Sequence, residues 1–422
     1  MRPKRRHYAW IVAGVTFLTL LATAGVGSTR AVLIVPLEQE FGWSRASISI
    51  AISINLLLFG LGGPFAASLM ERFGLRRVML AGLALLAVGT GLTPLVREPW
   101  QLTALWGFII GSATGATAIV LGATVANRWF VKHRGLVVGA FTAANATGQL
   151  LFLPFLAALI GSFGWRAAAL VSLGVTLLVA TLVALFMRDR PADVGMEAYG
   201  GAAASTPHGE APLSAIGGLL LAIRSGDFWL LSMSFLICGL TTNGLIGTHL
   251  IPASMDHGIT EVAAASLVAA MGVFDLVGTT ASGWLSDRLN NRLLLAWYYG
   301  LRGLSLLWLP YAFNEGNLGL AGFVVFYGLD WVATVPPTVR LTADIFGRRH
   351  VGVVFGWIFA AHQLGAAIAA FGAGALRTWL GDYQVAFMTA GLLCLVACGL
   401  VVRIGHGLTT NQMGTLPAAA AA

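Results

Sequence analysis

The stretch ASLMERFGLRR, residues 67–77, ends one long apolar run and begins another, and SGWLSDRLNNR, residues 282–292, stands in the same setting. Glu71-Arg72 and Asp287-Arg288 are 216 residues apart. A second pair supports the offset. GAFTAANATG (139–148) and GWIFAAHQLG (356–365) share Gly, Ala, Ala and Gly 217 residues apart. Two independent matches at nearly one spacing mark an internal repeat that divides the chain into two parallel halves.

Outward from these loops the sequence is apolar almost throughout. Of 422 residues, 57% are hydrophobic and 10% are charged, and the mean hydropathy is +0.82. A soluble domain is about a quarter charged, so this chain cannot present a polar surface to water. Runs near the length a helix needs to cross a bilayer recur about twelve times: 9–36, 46–70, 76–96, 100–127, 135–161, 165–187, 228–252, 263–286, 292–313, 318–343, 351–376 and 384–404. The class is all-α and polytopic. A β-barrel, built from short alternating strands, is excluded. The opening MRPKRRHYAW is basic, but the apolar run after it is too long for a signal peptide and has no convincing cleavage site, so it reads as the first span.

The central break, RDRPADVGMEAYGGAAASTPHGEAP (188–212), is rich in Gly, Ala and Pro and reads as a flexible linker. Residues 213–224 read as a short helix on the membrane surface. The expected divisions are 1–187 and 227–405 for the two six-helix bundles, 188–226 for the linker and 406–422 for a tail.

The formal charge of +8 is scattered over short loops and does not mark a nucleic-acid surface. With the N-terminus inside, cytoplasmic segments hold 18 Lys and Arg against 4 outside, with Arg30, Arg302 and Arg340 within spans. That bias predicts cytoplasmic termini. Cys238, Cys394 and Cys398 lie in spans and form neither a disulfide framework nor a zinc site. No metal cluster, cofactor motif or nucleophile–base spacing points to an enzyme.

At this point the loops carry a resemblance. The chain resembles the major facilitator superfamily, whose loop signature is Gly-x-x-x-Asp-Arg-x-Gly-x-Arg-Arg. Glu71, Arg72, Gly74, Arg76 and Arg77 match in the first copy, where Ala67 replaces the leading Gly; Gly283, Asp287, Arg288 and Arg292 match in the second, where Asn290 replaces the second Gly. The resemblance covers most of residues 9–405. It implies two pseudo-symmetric six-helix bundles around a substrate site near the membrane midplane, with Glu71, Arg72, Arg76, Asp287 and Arg288 as a gating latch. The other reading of these charges is topology alone.

Within the superfamily, STRAVLIVPLEQEFGWSRASISIAISI (28–54) is similar to the monocarboxylate porters and oxalate/formate exchangers. Arg30 falls on their basic position in helix 1. Asp275 matches the acid of their helix-8 Asp-x-x-x-Arg, with Thr279 at the arginine position, and His362 lies near the exchanger's helix-11 lysine. WFVKHRGLVVG (129–139) matches the branch less specifically.

A charge inside a bilayer must face a cavity or a partner. Arg30 is read as the carboxylate hook, with snorkelling to headgroups as the alternative. His249, in GTH (247–249), stands opposite STR (28–30) in the repeat and is a second contact or a proton site, with a hydrogen-bonded helix histidine as the alternative. Asn145 and Gln149, with His362, Gln363 and Asn243, complete the candidate lining; interhelical hydrogen bonding is the competing role. Arg302, Asp330 and Asp275 form an expected mid-membrane network. Asp275 is assigned the transported proton, with Asp330 as runner-up and a purely structural cluster as the alternative. Arg340 is expected to snorkel inward.

The expectation is a transporter in a bacterial inner membrane, working as a monomer among lipids. It would move a small organic anion with a proton and no cofactor. The alternatives are a drug/proton antiporter of the same fold, against which the absence of acids in spans 1–6 argues, and a non-transporting sensor.

Overall fold

The computed structural model describes residues 7–116, 119–201, 214–315, 317–347 and 350–405. Helices form the spans, because in lipid every backbone polar group must be paired within its own segment. The first six are α1 (Ala9–Phe41), α2 (Arg45–Phe73), α3 (Leu75–Leu92), α4 in four pieces (Pro99–Leu102, Thr103–Ile110, Gly111–Ala116 and Ile119–Trp129), α5 (Arg134–Phe163) and α6 (Trp165–Phe186). The second six are α7 in three pieces (Gly226–Gly239, Leu240–Ile246 and Gly247–Asp256), α8 (Glu261–Ser286), α9 (Asn291–Ala312), α10 in two pieces (Asn317–Asp330 and Val335–Phe346), α11 (Val351–Leu380) and α12 (Gln384–Val402). Exposed Trp100, Phe163 and Trp379 ring one end of the bundle, and Trp10, Trp284 and Trp297 lie toward the other, as interfacial aromatics do.

The repeat read from the loops is repeated in the packing. Contacts α1–α5, α2–α4, α3–α6 and α1–α6 recur as α7–α11, α8–α10, α9–α12 and α7–α12. The halves meet along two seams, α2 with α11 and α5 with α8, and α1 also touches α7. Small residues permit the close approach. A Cβ on Gly278 of α8 would strike the backbone of Leu329 on α10, and one on Gly374 of α11 would meet Ser49 and the Arg45 carbonyl of α2.

Among the described residues three spans are interrupted, and each interruption frees backbone groups at mid-span. In α4 the Thr103–Ile110 segment is a π-helix, and so is Leu240–Ile246 in α7. In α10 the chain leaves the helix after Asp330 and resumes at Val335, just before Pro336 and Pro337. Proline has no N–H and clashes with the preceding turn, so the helix cannot run through.

One expectation changes. The linker read as flexible is tied down over residues 188–201. Asp189 accepts from the Arg76 N–H at 2.7 Å at the start of α3. The Tyr199 N–H donates to the Trp129 carbonyl, and the Tyr199 carbonyl accepts from Val131 and Lys132. Its ring packs against His7, Trp10 and Phe130. Residues 202–213 and the tail from 406 lie outside the described residues. Arg340, expected to snorkel, faces Asp287 and Asp344, each at 3.4 Å. The short helix expected near 213–224 spans Ala215–Ala222, capped by Ser214, and Trp357 of α11 donates to the Ala215 carbonyl.

Candidate transport site

Arg30 sits on α1 against a crevice between α1, α2 and α4 that is lined by Leu33, Leu37, Ile48, Ala51, Ile52, Leu102 and Trp106. Its space is no larger than about one water. The Arg30 Nε atom is buried there with no hydrogen-bond partner among the described residues. Gly27, one turn earlier, leaves room beside the guanidinium, with Nη1 3.7 Å from where a Cβ would stand. Trp106, on the π-helical piece of α4, is fixed from two sides. Its ring donates to Thr93 Oγ1 at 3.0 Å, and its carbonyl accepts from Asn55 Nδ2 of α2 at 2.8 Å.

The other half brings different chemistry to the membrane interior. Arg302 of α9, fully buried, donates through Nε to Asp330 Oδ2 at 2.7 Å and through Nη2 to the carbonyls of Asp330 and Trp331. Nη1 reaches Cys238 Sγ at 2.9 Å. Arg302 therefore closes the carbonyls left open where α10 breaks. Asp275 of α8 caps the same break from the other side. Its Oδ1 accepts from the Val332 N–H at 2.8 Å and from Thr279 Oγ1 at 2.9 Å. Arg302 is thus engaged by Asp330, and among the described residues no cation pairs with Asp275.

On α11, the His362 ring lies parallel to Phe359 at 5.6 Å and packs on Phe235. Its Nε2 lies 3.4 Å from Thr242 Oγ1 on α7, and its Nδ1 has no partner. Gln363 fills the space over Gly60 of α2, on the seam between halves, and both polar atoms of its amide are buried and unpaired. Asn243 is half-buried on the π-helical piece of α7. The side chains of Asn145, Gln149 and Glu71 lie outside the described ones. His249 is not beside Arg30's crevice: Nε2 meets the Ala370 carbonyl at 2.8 Å and Nδ1 meets Tyr383 Oη at 3.2 Å, so both ring nitrogens are engaged.

The loop charges stay within their own halves where their contacts are described. Arg72 lies over the Phe73 ring, and Arg76 donates to the Ala184 carbonyl. Arg288 lies over Trp284 at 4.1 Å, while Asp287 faces Arg340. Among the described residues, the contact that ties the halves by charge is one the sequence reading passed over. Arg45, at the start of α2, holds Asp256 at the end of α7 through two hydrogen bonds of 2.7 and 2.8 Å. The signal was present as a lone arginine at the head of a span, but only the packing brings it to an acid 211 residues away.

The Major Facilitator Superfamily profile matches residues 15–339 and 242–412. The chain belongs to the major facilitator superfamily. This facilitator is 25% identical over 408 residues to the uncharacterized MFS-type transporter YcxA of Bacillus subtilis, covering 93% of each chain. It is 26% identical over 407 residues to monocarboxylate transporter 13 of Bos taurus, covering 96% of this chain and 91% of that one. The fold matches the crystal structure of a D-xylose-proton symporter, TM-score 0.75, 16% identity, covering 94% of this chain and 98% of that one. It also matches a bacterial homologue of the lysosomal transporter Spinster in an inward-facing, unoccupied conformation, TM-score 0.75, 15% identity, covering 94% and 97%. This facilitator is an integral membrane transporter resembling the monocarboxylate branch.

Proposed function

We propose that the protein carries a small organic anion, a monocarboxylate or short dicarboxylate, across a bacterial inner membrane by rocking its two halves. The termini face the cytoplasm, the bundles are 1–187 and 227–405, and one transported proton accompanies the anion. The observation that carries this reading is Arg30: a guanidinium in an apolar crevice whose Nε finds no acceptor among the described residues. A cation left so is costly, and a carboxylate offers the fork geometry that satisfies it. The relatives named as monocarboxylate transporters support the substrate class. Asp275 supports the proton. Arg302 is engaged by Asp330, which leaves Asp275 as the acid to be neutralised while the anion neutralises Arg30. Loading both removes two charges from the interior, so the filled carrier crosses more easily than a half-filled one.

Purified protein in detergent, warmed with small carboxylates, amines and neutral solutes, tests the reading. A ligand bound by the folded state raises the melting temperature. One carboxylate should stabilise the wild type and lose that effect in Arg30→Ala. Stabilisation by amines alone, or by carboxylates equally in Arg30→Ala, would overturn it. In proteoliposomes, Asp275→Asn should abolish the acceleration of carboxylate uptake by an inward proton gradient; unchanged acceleration would remove Asp275 from the role.

A further inference from the structure

The end of the bundle away from the termini is closed by a chain of charges. Glu38 of α1 accepts from Arg45 Nε at 2.8 Å. Arg45 holds Asp256 with both terminal nitrogens, and Asp256 also accepts from Arg377 Nε at 2.8 Å. Arg45 is 5% exposed although it starts a helix at the rim of the molecule. It is the one member drawn from the N-terminal half that grips the C-terminal half, and the Ala46 N–H beside it donates to Thr378 Oγ1 of α11.

A second chain runs inward from the same guanidinium. Arg45 Nη1 donates to Tyr383 Oη at 3.0 Å. Tyr383 Oη lies 3.2 Å from His249 Nδ1, and His249 Nε2 lies 2.8 Å from the Ala370 carbonyl. A carbonyl only accepts, so Nε2 carries the hydrogen. Nδ1 of the neutral ring is then the acceptor, and the Tyr383 hydroxyl donates to it. Burial pushes the Tyr383 hydroxyl up to about 12, so it keeps the proton it donates. Every group in the chain is satisfied in one direction only, and only with a neutral histidine.

We propose that His249 is a proton-binding site that releases the closed outer end. A proton on Nδ1 turns that atom into a donor. Tyr383 must then turn its own hydrogen away and accept from both sides, and an imidazolium faces the Arg45 guanidinium across one oxygen. The closed end therefore binds this proton worse than an open, hydrated end does. By linkage, acid favours opening, by up to about tenfold in the open-to-closed ratio per pH unit between the two states' affinities. Toward this end of the bundle, the charged and titratable groups on the elements around the ring are Arg30, Glu38 and Glu40 on α1, Arg45 on α2, Asp256 on its own helix, Glu261 on α8, Arg377 on α11 and Tyr383 before α12, with Asp275 on α8 and His362 on α11 deeper in the bundle. Of these, Arg45 is the cation that shares Tyr383 Oη with the ring.

The inference rests on the rocking of the halves and on neither the anion nor Arg30, and its test needs no substrate. Spin labels on Gln39→Cys and Asn314→Cys, exposed sites at the outer ends of opposite halves, report opening by pulsed dipolar spectroscopy in nanodiscs, in a Cys398→Ser background. The long-distance population should grow as pH falls from 8 to 5 in the otherwise wild-type protein. It should stay flat in His249→Gln and lose most of its slope in Tyr383→Phe, which keeps the ring. Asp256→Asn should be open at every pH. A pH response that persists in His249→Gln would overturn the proposal, as would an invariant distance in the parent. Either result, beside an intact Arg30-dependent carboxylate stabilisation, would leave the anion reading standing.

Discussion

The guanidinium of Arg302 reaches Asp330 Oδ2, two backbone carbonyls and Cys238 Sγ. A buried pair of this kind is expensive to halve and cheap to replace whole. Arg302→Met should therefore lower stability by about 3–5 kcal/mol, since it leaves Asp330 charged and alone and the carbonyls of the α10 break unpaired. Arg302→Met with Asp330→Leu should recover most of the loss. Thermal unfolding in detergent measures both; an Arg302→Met protein as stable as the parent would show that the pair does not hold α10. The sequence placed Arg302, Asp330 and Asp275 near one depth from helix arithmetic alone. It did not disclose that both partners face a gap in α10, because a break is a backbone event and side-chain spacing does not record it.

At the scale of elements, the π-helical piece of α4 has one of its carbonyls bound by a side chain of α2. Asn55 donates to the Trp106 carbonyl. Asn55→Ala should cost about 1 kcal/mol, the net worth of one such bond. Chemical unfolding would show it, and an unchanged midpoint would mean that α4 keeps its π turn without help. Gly278 is less forgiving. A Gly278→Leu protein has no room against the Leu329 backbone and should fail to yield a monodisperse species in size-exclusion chromatography, whereas Gly283→Ala, where a Cβ meets nothing within 4 Å, should behave as the parent. The spans themselves were legible, because length and apolarity decide them in lipid. Their interruptions were legible only at Pro336-Pro337; TALWGFII and LTTNGLI carry no residue that forces a π turn.

For the whole molecule, the repeat of 216–217 residues foretold the pairing of helices but not the seams between halves. Arg45 illustrates the difference. In sequence it counts as one positive charge outside the membrane; in the fold it bridges Asp256, because the halves bring the ends of α2 and α7 together. A bridge across this end should stop the cycle. Ala46→Cys with Thr378→Cys, joined by a short thiol crosslinker, should arrest carboxylate uptake in proteoliposomes, and a reducible linker should restore it on reduction. Full uptake with complete crosslinking would mean that this end need not open.

The π-helical segment of α4 has one further consequence. A π turn is an α-helix carrying one surplus residue, closed by i→i+5 instead of i→i+4 bonds. Everything beyond it is rotated by roughly 100° relative to an uninterrupted helix. Beyond it lie Gly111 and Gly115, which let α4 ride against the backbone of Asn55, Leu58 and Phe59 on α2. Deleting one residue from Thr103–Ile110 would heal the hydrogen bonding of α4 and leave both glycines on that track, whereas a regular α4 of unchanged length would swing them off it. The irregular turn therefore works as a phase shifter: it sets Trp106 toward Arg30 on one side and the glycine face toward α2 on the other, an alignment that a regular α4 of the same sequence would lose.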